Sequence, residues 1–145
     1  MIPVKFKRVH KDAHTPVYKT EGAACADLYA VFEDNFGYTY IHPNQTAIIS
    51  TGLVVEVPEG YELQIRSRSG MASRGTMLAN GVGTVDSDYH KEIKVLLTNV
   101  SPDVVKISSG QRVAQCCLKE VVKMVFEEVE DIHDNGRGGF GSTGL

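Results

Sequence analysis

The sequence has little of the features that mark membrane, secreted or nucleic-acid-binding proteins. It has no tryptophan, and it lacks a continuous apolar run of the roughly 18 residues that a membrane helix needs. The N-terminal stretch MIPVKFKRVH lacks the apolar segment of a secretory signal peptide. The formal net charge is −3, whereas general binders of nucleic-acid backbones carry a basic excess. We therefore expect an intracellular protein, in the cytoplasm or else in the nucleus or a virus-infected host cell, that is not secreted and binds neither membranes nor nucleic acid.

Cysteine is also scarce. The three cysteines are Cys25, Cys116 and Cys117, an odd number that does not suit a disulfide framework. Neighbouring residues on a strand point to opposite faces, so Cys116 and Cys117 cannot share one partner site. We expect reduced thiols in the core of the protein.

What the sequence does have is β-strand periodicity over a length of 145 residues, which suits one domain. Residues 47–57 are rich in β-branched side chains and end at Pro58-Glu59-Gly60, which suits a type I turn. Residues 61–65 resume the pattern, which predicts a hairpin. Residues 93–100 predict another strand, and we favour a strand over a helix for residues 120–130. Many short strands with Gly and Pro turns predict a sandwich, barrel or jelly roll.

The C-terminal stretch, residues 134–145, is rich in glycine and predicts a flexible arm. Its G-x-G-x-x-G pattern is not a dinucleotide site, because no helix can follow it. Successive backbone N–H groups could still converge on an anion. Ser142 and Thr143 add hydroxyl donors, Arg137 adds a cation, and Phe140 could stack on a planar ligand. A tail without function is the alternative.

An acidic pair lies in residues 81–93, GVGTVDSDYHKEI. Asp86 and Asp88 alternate, so on an extended chain both face one side. One of these carboxylates is a candidate general base acting on water. The alternative is a polar hairpin tip capped by an aspartate.

Two further segments have ligand-binding character. Residues 66–75, RSRSGMASRG, combine guanidinium groups, hydroxyls and a possible helix start, which together suit phosphate; a solvated loop is the alternative. Asp27 lies in the small, apolar run of residues 23–30, AACADLYA. A buried aspartate needs partners or a metal, although this one could also cap a turn.

Taken in this order, these segments resemble the five motifs of the homotrimeric dUTPase family, over residues 23–144. The strongest matches are VDSDY and GGFGSTG. The resemblance implies an all-β, distorted jelly-roll or β-barrel-like domain over residues 1–133. It implies a homotrimer in which the arm of one chain, residues 134–145, closes an active site built by the other two. The implied activity is hydrolysis of dUTP to dUMP and pyrophosphate, which keeps uracil out of DNA and supplies dUMP for thymidylate synthesis.

The resemblance also implies roles for residues around the acidic pair. Asp86 matches the general base that activates the water attacking the α-phosphorus. Tyr89 matches the residue that stacks under the deoxyribose and leaves no space for a 2′-hydroxyl. Asn80 and Gly83 belong to a hairpin whose backbone would pair with the uracil edge. Cytosine would then be rejected, because mismatched polar groups would be buried without partners.

The remaining matches concern the phosphates and the metal. Asp27 matches an aspartate that supports Mg²⁺ through its water shell. Phe140 would stack on uracil. The residues matching substrate-binding positions in the second, fourth and fifth motifs are Arg68, Ser69, Gly70, Gln115, Arg137, Gly141, Ser142 and Thr143, and the arm's Arg137, Ser142 and Thr143 would hold the β- and γ-phosphates. Arg137 directly precedes the glycine pair, whereas the common pattern has arginine where Asn135 stands.

Two other functions stay open from the sequence. A dCTP deaminase shares the jelly roll, but it needs a catalytic glutamate and would release ammonia. A viral member of the dUTPase family could in addition bind a regulatory protein partner in a nucleotide-dependent way.

Overall fold

The computed structural model describes residues 1–33, 36–139 and 142. Within these residues the chain forms ten β-strands and one short helix. The elements are β1 (Lys5–Arg8), β2 (Ala26–Tyr29), β3 (Tyr38–Ile41), β4 (Thr46–Glu56), β5 (Tyr61–Arg66), α1 (Ser69–Ala72), β6 (Thr76–Leu78), β7 (Val82–Val85), β8 (Glu92–Asn99), β9 (Val105–Ser108) and β10 (Arg112–Glu120). No helix in this part of the chain is long and apolar enough to cross a membrane.

The strands form antiparallel sheets, and this confirms the all-β prediction. One four-stranded sheet has the order β1-β4-β8-β6, a second has the order β2-β10-β5-β7, and β3 pairs with β9. The apolar faces of the two larger sheets meet in one core, because their inward side chains alternate with polar outward ones. Fully buried members of this core include Leu28, Ile49, Leu53, Ile93 and Val95. The architecture is a jelly-roll-like sandwich.

The predicted hairpin of residues 47–65 is wrong, although both of its strands exist. β4 pairs with β1 and β8, whereas β5 pairs with β10 and β7, so the connection carries the chain from one sheet to the other. The Tyr61 N–H does donate to the Pro58 carbonyl at 3.1 Å. Gly60, however, has φ of 81°, the left-handed value of a type II rather than a type I turn. Turn residues reveal where the chain bends, but they do not reveal which strand it pairs with next.

The predicted strand over residues 120–130 is also wrong. β10 ends at Glu120, and residues 121–139 have no regular secondary structure and are exposed. Exposed apolar side chains are frequent here, among them Val122, Val125 and Phe126. The β-propensity of these residues has no neighbouring strand to pair with in the described part of this chain, and propensity alone does not make a strand.

The three cysteines are unpaired thiols. Cys116 and Cys117 are buried, as expected, while Cys25 is only half-buried. Burial raises the pKa of Cys116 to about 12, so this thiol stays protonated at neutral pH.

The buried Asn99 at the end of β8 joins three segments. Its Nδ2 donates to the carbonyls of Ile41 at 2.9 Å and Asp103 at 2.7 Å. Its Oδ1 accepts from the backbone N–H of Ser101 at 2.9 Å and from the Ser101 hydroxyl at 2.7 Å. Every polar atom of this 0% exposed side chain is therefore satisfied, and it fixes the turn after β8 against the end of β3.

We expect Asn99→Ala to lower the free energy of unfolding by about 3 kcal/mol, because it leaves several buried backbone groups without partners. Urea unfolding followed by circular dichroism measures the change. Thr98→Ala is the matched control next to it, since the Thr98 hydroxyl makes one exposed bond of 3.4 Å. Equal effects of the two substitutions would show that the buried hydrogen bonds of Asn99 add no more to the free energy of unfolding than the single exposed bond of Thr98.

Candidate active site

Four of the predicted site residues line one cavity of about 250 Å³. We call it the edge cavity, because it opens beside β7, the edge strand of its sheet, and is closed on the other side by β8. The four are Asn80, Gly83, Asp86 and Tyr89. Apolar residues of the core, including Ile65 and Val95, form its floor. The edge cavity thus combines an apolar base with a few polar groups at its mouth, as ligand pockets commonly do.

Position 83 requires glycine, because β7 passes close to its partner strand β5 at this point. A Cβ at this position would lie 3.1 Å from Cβ of Ile65 and 3.3 Å from Nδ2 of Asn80. A larger residue would therefore push the Asn80 amide away or tilt β7. The absent side chain also leaves the backbone of Gly83 open to the cavity.

Asp86 opens the turn that leads from β7 to β8. The Tyr89 N–H donates to the Asp86 carbonyl at 3.1 Å, which closes a tight turn. Residues 86–89 form this turn rather than an extended strand. Asp86 and Asp88 still line one surface groove together, and of the two only Asp86 also lines the edge cavity. The Asp86 carboxylate is exposed to solvent. The Tyr89 hydroxyl donates to the Glu92 carbonyl at 3.1 Å and so holds the ring against the cavity mouth.

This turn and the connection before it are not hairpins either. β6 pairs with β8, β7 pairs with β5, and β8 pairs with β4 and β6. The segment from β6 to β8 therefore crosses from one sheet to the other and back. Asn80 and Asp86 stand at these two crossings, which explains why they border the same gap between the sheets.

The other predicted residues of the folded domain line a second cavity of about 200 Å³, which we call the arginine cavity. Its lining residues are Lys19, Ala23, Cys25, Asp27, Arg68, Ser69, Gly70, Arg112 and Gln115. Three cationic side chains surround one carboxylate here, so the cavity has an excess of positive charge suited to an anion.

Asp27 organises the arginines. Its Oδ1 lies 3.1 Å from Nε of Arg68, and its Oδ2 lies 3.0 Å from Nη1 of Arg112. Arg68 also donates from Nη1 to the Arg112 carbonyl at 2.9 Å. The side chain of Asp27 is 10% exposed, that of Arg68 26% and that of Arg112 42%. The pair with Arg68 is therefore the better shielded from water, and it holds the guanidinium of Arg68 in one orientation.

Gln115 positions the loop that follows β5. Its Nε2 donates to the Ser67 carbonyl at 2.9 Å, and the Ser67 hydroxyl accepts from the Leu78 N–H at 2.9 Å. The chain then enters α1, where the first intrahelical bond comes from the Met71 N–H. The N–H groups of Ser69 and Gly70 precede that bond and border the cavity.

The two cavities lie on opposite faces of the β2-β10-β5-β7 sheet. Ile65 and Gly83 pair across β5 and β7 and face the core side, where the edge cavity lies. Asp27 and Gln115 pair across β2 and β10 and alternate with the core residues Ala26 and Cys116, so they face outward. Among the described residues, none lines both cavities. The sheet itself separates them.

The predicted arm residues that the structure describes, Arg137 and Ser142, do not line either cavity. Arg137 is exposed, and its N–H donates to Oδ1 of Asn135 at 2.9 Å. The Ser142 N–H donates to the Gly139 carbonyl at 3.1 Å, which makes a local turn. Phe140, Gly141 and Thr143 lie outside the described residues. The arm therefore reaches neither the edge cavity nor the arginine cavity of its own chain, as far as its described residues show.

Two charged residues line the arginine cavity without having been predicted as site residues. Arg112 is the second partner of Asp27, and Lys19 closes one side. Ser67 accepts the Gln115 bond but does not line the cavity. A signal existed for Arg112, because a buried aspartate needs cationic or donor partners and Arg112 is one of few arginines on a strand. Lys19 lies in a loop, where spacing carries no such signal.

Comparison with known proteins shows the family of this chain. A family model described as dUTPase matches residues 11–144. The deoxyuridine 5′-triphosphate nucleotidohydrolase of Hydrogenobaculum sp. is 42% identical over 142 residues, covering 96% of each chain. That of Caldanaerobacter subterraneus subsp. tengcongensis is 44% identical over 149 residues, covering 99% of each. The chain belongs to the dUTPase family.

Solved dUTPase structures share the fold. A variant dUTPase of Staphylococcus bacteriophage 80alpha, solved with dUpNHpp, has a TM-score of 0.85 at 22% identity and covers all of both chains. A dUTPase variant from phage phi11 of S. aureus, described with a structural Mg(II) ion, has a TM-score of 0.78 at 18% identity and covers 90% of this chain and 98% of its own.

We expect Asp27→Ala to lower the free energy of unfolding by about 2 kcal/mol, because it leaves the partly buried Arg68 without its counter-ion and also removes the more exposed pair with Arg112. Urea unfolding of the purified chain measures this. The control is Glu56→Ala, which removes the exposed ion pair with Lys5, whose side chains are 79% and 58% exposed, and should change little. If both substitutions cost the same, Asp27 is not the organising charge of the arginine cavity.

Proposed function

We propose that this protein hydrolyses dUTP to dUMP and pyrophosphate, as the names of its relatives state for them. The observation that carries the proposal is the position of Asp86. Its carboxylate stands at the mouth of the edge cavity beside Asn80, Gly83 and Tyr89. This hydrolysis removes dUTP before uracil enters DNA and supplies dUMP for thymidylate synthesis.

In the mechanism we propose, Asp86 is the general base. It takes a proton from a water molecule, and the water oxygen attacks the α-phosphorus while pyrophosphate leaves. An exposed carboxylate in a turn suits this role, because water reaches it and the Tyr89 N–H bond to the Asp86 carbonyl holds the backbone that carries it. The attacking water is already positioned before the reaction, so the activation free energy no longer includes the full entropic cost of bringing it into place.

The edge cavity accounts for the choice of nucleoside. The backbone around Gly83 and the Asn80 amide offer hydrogen-bonding groups to the edge of a uracil ring over the apolar floor. A cytosine there would leave polar groups buried without partners, which costs binding energy. The Tyr89 ring, held through Glu92, would contact the deoxyribose and exclude a 2′-hydroxyl.

The arginine cavity accounts for the triphosphate. Arg68, oriented by Asp27, offers its remaining donors, and the N–H groups of Ser69 and Gly70 add uncharged ones. Gln115 supports this loop through Ser67. In phosphoryl transfer such positioned positive charge supplies most of the catalysis.

We propose that Mg²⁺ accompanies the substrate. The arginine cavity provides one carboxylate, and each oxygen of Asp27 already accepts an arginine N–H, which leaves its second lone pair for a water hydrogen. Within the described residues, no group of three or more His, Cys, Asp or Glu could hold a metal. This donor set fits a magnesium ion held by phosphate oxygens and water, with Asp27 facing its water shell. When bound, the ion neutralises phosphate charge.

We propose that the working enzyme is a homotrimer. One nucleotide cannot use both cavities of a single chain, because the β2-β10-β5-β7 sheet lies between them. The edge cavity of one chain facing the arginine cavity of a second chain would complete a site. The arm, residues 134–145, would then close the site from the third chain, with Phe140 on the uracil and Arg137, Ser142 and Thr143, next to Gly141, at the β- and γ-phosphates.

We expect Asp86→Asn to reduce turnover of dUTP about 10²–10⁴-fold while nucleotide affinity stays close to the parent value, since the amide cannot accept the proton. Pyrophosphate release with Mg²⁺ measures the rate, and calorimetry with a non-hydrolysable analogue measures binding. Asp88→Asn, two residues away and outside the edge cavity, is the control and should keep full turnover. Near-parent turnover of the Asp86 variant would refute the assignment of the base.

Removing residues 135–145 should lower turnover by orders of magnitude and leave the fold and the trimer intact. The reason is that all ten described strands end by Glu120, so the deletion removes only the closing segment. Pyrophosphate release gives the rate, and sedimentation gives the assembly. Unchanged turnover would remove the arm from the mechanism, and loss of assembly would assign it a structural role instead.

The two alternative functions make different predictions. A dCTP deaminase would release ammonia from dCTP, and the family to which the chain belongs argues against it. A regulatory protein partner stays a prediction; the connection from β7 to β8 has no insertion that would present one. A pull-down with and without dUTP would test it.

A further inference from the structure

Two cysteines stand opposite each other on neighbouring strands. In the pairing of β10 with β2, Gln115 is opposite Asp27 and Cys116 is opposite Ala26. Cys25 directly precedes β2, and extending the same register by one step sets it opposite Cys117, with which its thiol is in hydrogen-bond contact. Side chains alternate along a strand, so these two thiols share the outward face with Asp27 and Gln115, while Cys116 packs into the core.

The hydrogen-bond pattern defines which kind of pair this is. The Asp27 N–H donates to the Val17 carbonyl at 3.0 Å, away from β10. Backbone groups alternate in direction along a strand, so those of Cys25 also point away from β10, and Cys25 and Cys117 form a non-hydrogen-bonded pair. Such pairs have Cα atoms about 4.5 Å apart and closely spaced side chains, which lies within the roughly 4.4–6.8 Å that a disulfide spans.

The surroundings allow chemistry at one of the two thiols. Cys25 is half-buried and lines the arginine cavity, so a small oxidant can reach it from solvent. Cys117 is buried behind it and is in reach of the Cys25 sulfur. Cys116 is buried on the other face, so it cannot compete for either partner.

We propose that Cys25 and Cys117 are a modification site, which peroxide or a disulfide reagent converts reversibly into an intrachain disulfide between β2 and β10. With peroxide, the Cys25 thiolate is oxidised to a sulfenic acid and one water is released. The Cys117 sulfur then attacks the Cys25 sulfur, a second water leaves, and the two thiols have lost two electrons and two protons to one peroxide. A dithiol reductant reverses the change.

The cross-link would affect the strand that carries Asp27. It closes a long loop between residues 25 and 117, which restricts the unfolded chain most when the loop is long. It also holds β2 to β10 two residues from the carboxylate that orients Arg68.

The test uses the full-length protein, titrated with hydrogen peroxide at an alkaline pH of about 9.5, because burial and the neighbouring Cys117 raise the pKa of the Cys25 thiol. Thiols are counted after denaturation, and peptides are mapped without reduction. We expect the count to fall from three to one, a Cys25–Cys117 link within one chain, recovery with dithiothreitol, and a rise in Tm of roughly 10 °C.

Three variants sharpen the result. Cys116→Ala should still form the link, whereas Cys25→Ser and Cys117→Ser should not. If Cys116→Ala does not fold, fragmentation of the linked peptides from the parent protein identifies the paired cysteines instead. A link between chains, a link to Cys116, or three intact thiols after treatment that oxidises the unfolded chain would each overturn the proposal.

Discussion

The register of β10 in its sheet is the constraint on which the candidate site depends. β10 pairs with β2 along one edge and with β5 along the other, which sets Gln115 beside Asp27 on one side and Arg66 on the other. A slip of one residue would turn every side chain of the strand to the opposite face. Gln115 would then enter the core and lose its place opposite Asp27, and the arginine cavity would not form. The apolar residues that alternate with them, such as Ala114 and Cys116, hold this register by burial.

The same alternation separates the two halves of the site. Residues that face the core on β5 and β7 form the floor of the edge cavity, and residues that face outward on β2 and β10 form the arginine cavity. Residues on opposite faces of one sheet cannot contact the same ligand. In the homotrimer that we propose, two different chains would recognise the two ends of a long nucleotide, and catalysis by positioned charge would then depend on the assembly.

Much of this could be predicted from the sequence, because the chemistry of the site is local. Three short segments have residue types that indicate catalysis or ligand binding. They are the VDSDY turn, the arginine-rich loop after β5, and the apolar run that contains Asp27. Strand positions followed from β-branched periodicity. The resemblance to the dUTPase family assigned the roles.

The predictions that failed concern contacts between residues that are distant in the sequence. The turn residues at Gly60 revealed a bend, but pairing is decided by burial of whole faces, so β4 and β5 went to different sheets. The valines after Glu120 have strand propensity, yet no described strand is beside them. Arg112 is 85 residues from Asp27 in sequence, and only the folded sheet brings their charges together.

The central claim is that the Asp86 and the Arg68 serving one nucleotide come from different chains. The most direct test mixes Asp86→Asn chains with Arg68→Ala chains, dissociates and reassembles them, and measures pyrophosphate release from dUTP. Each variant alone should be nearly inactive, and the mixture should recover about a quarter of the parent activity, because random assembly rebuilds that share of intact sites. A mixture as inactive as its components, in trimers shown to contain both chains, would contradict the account.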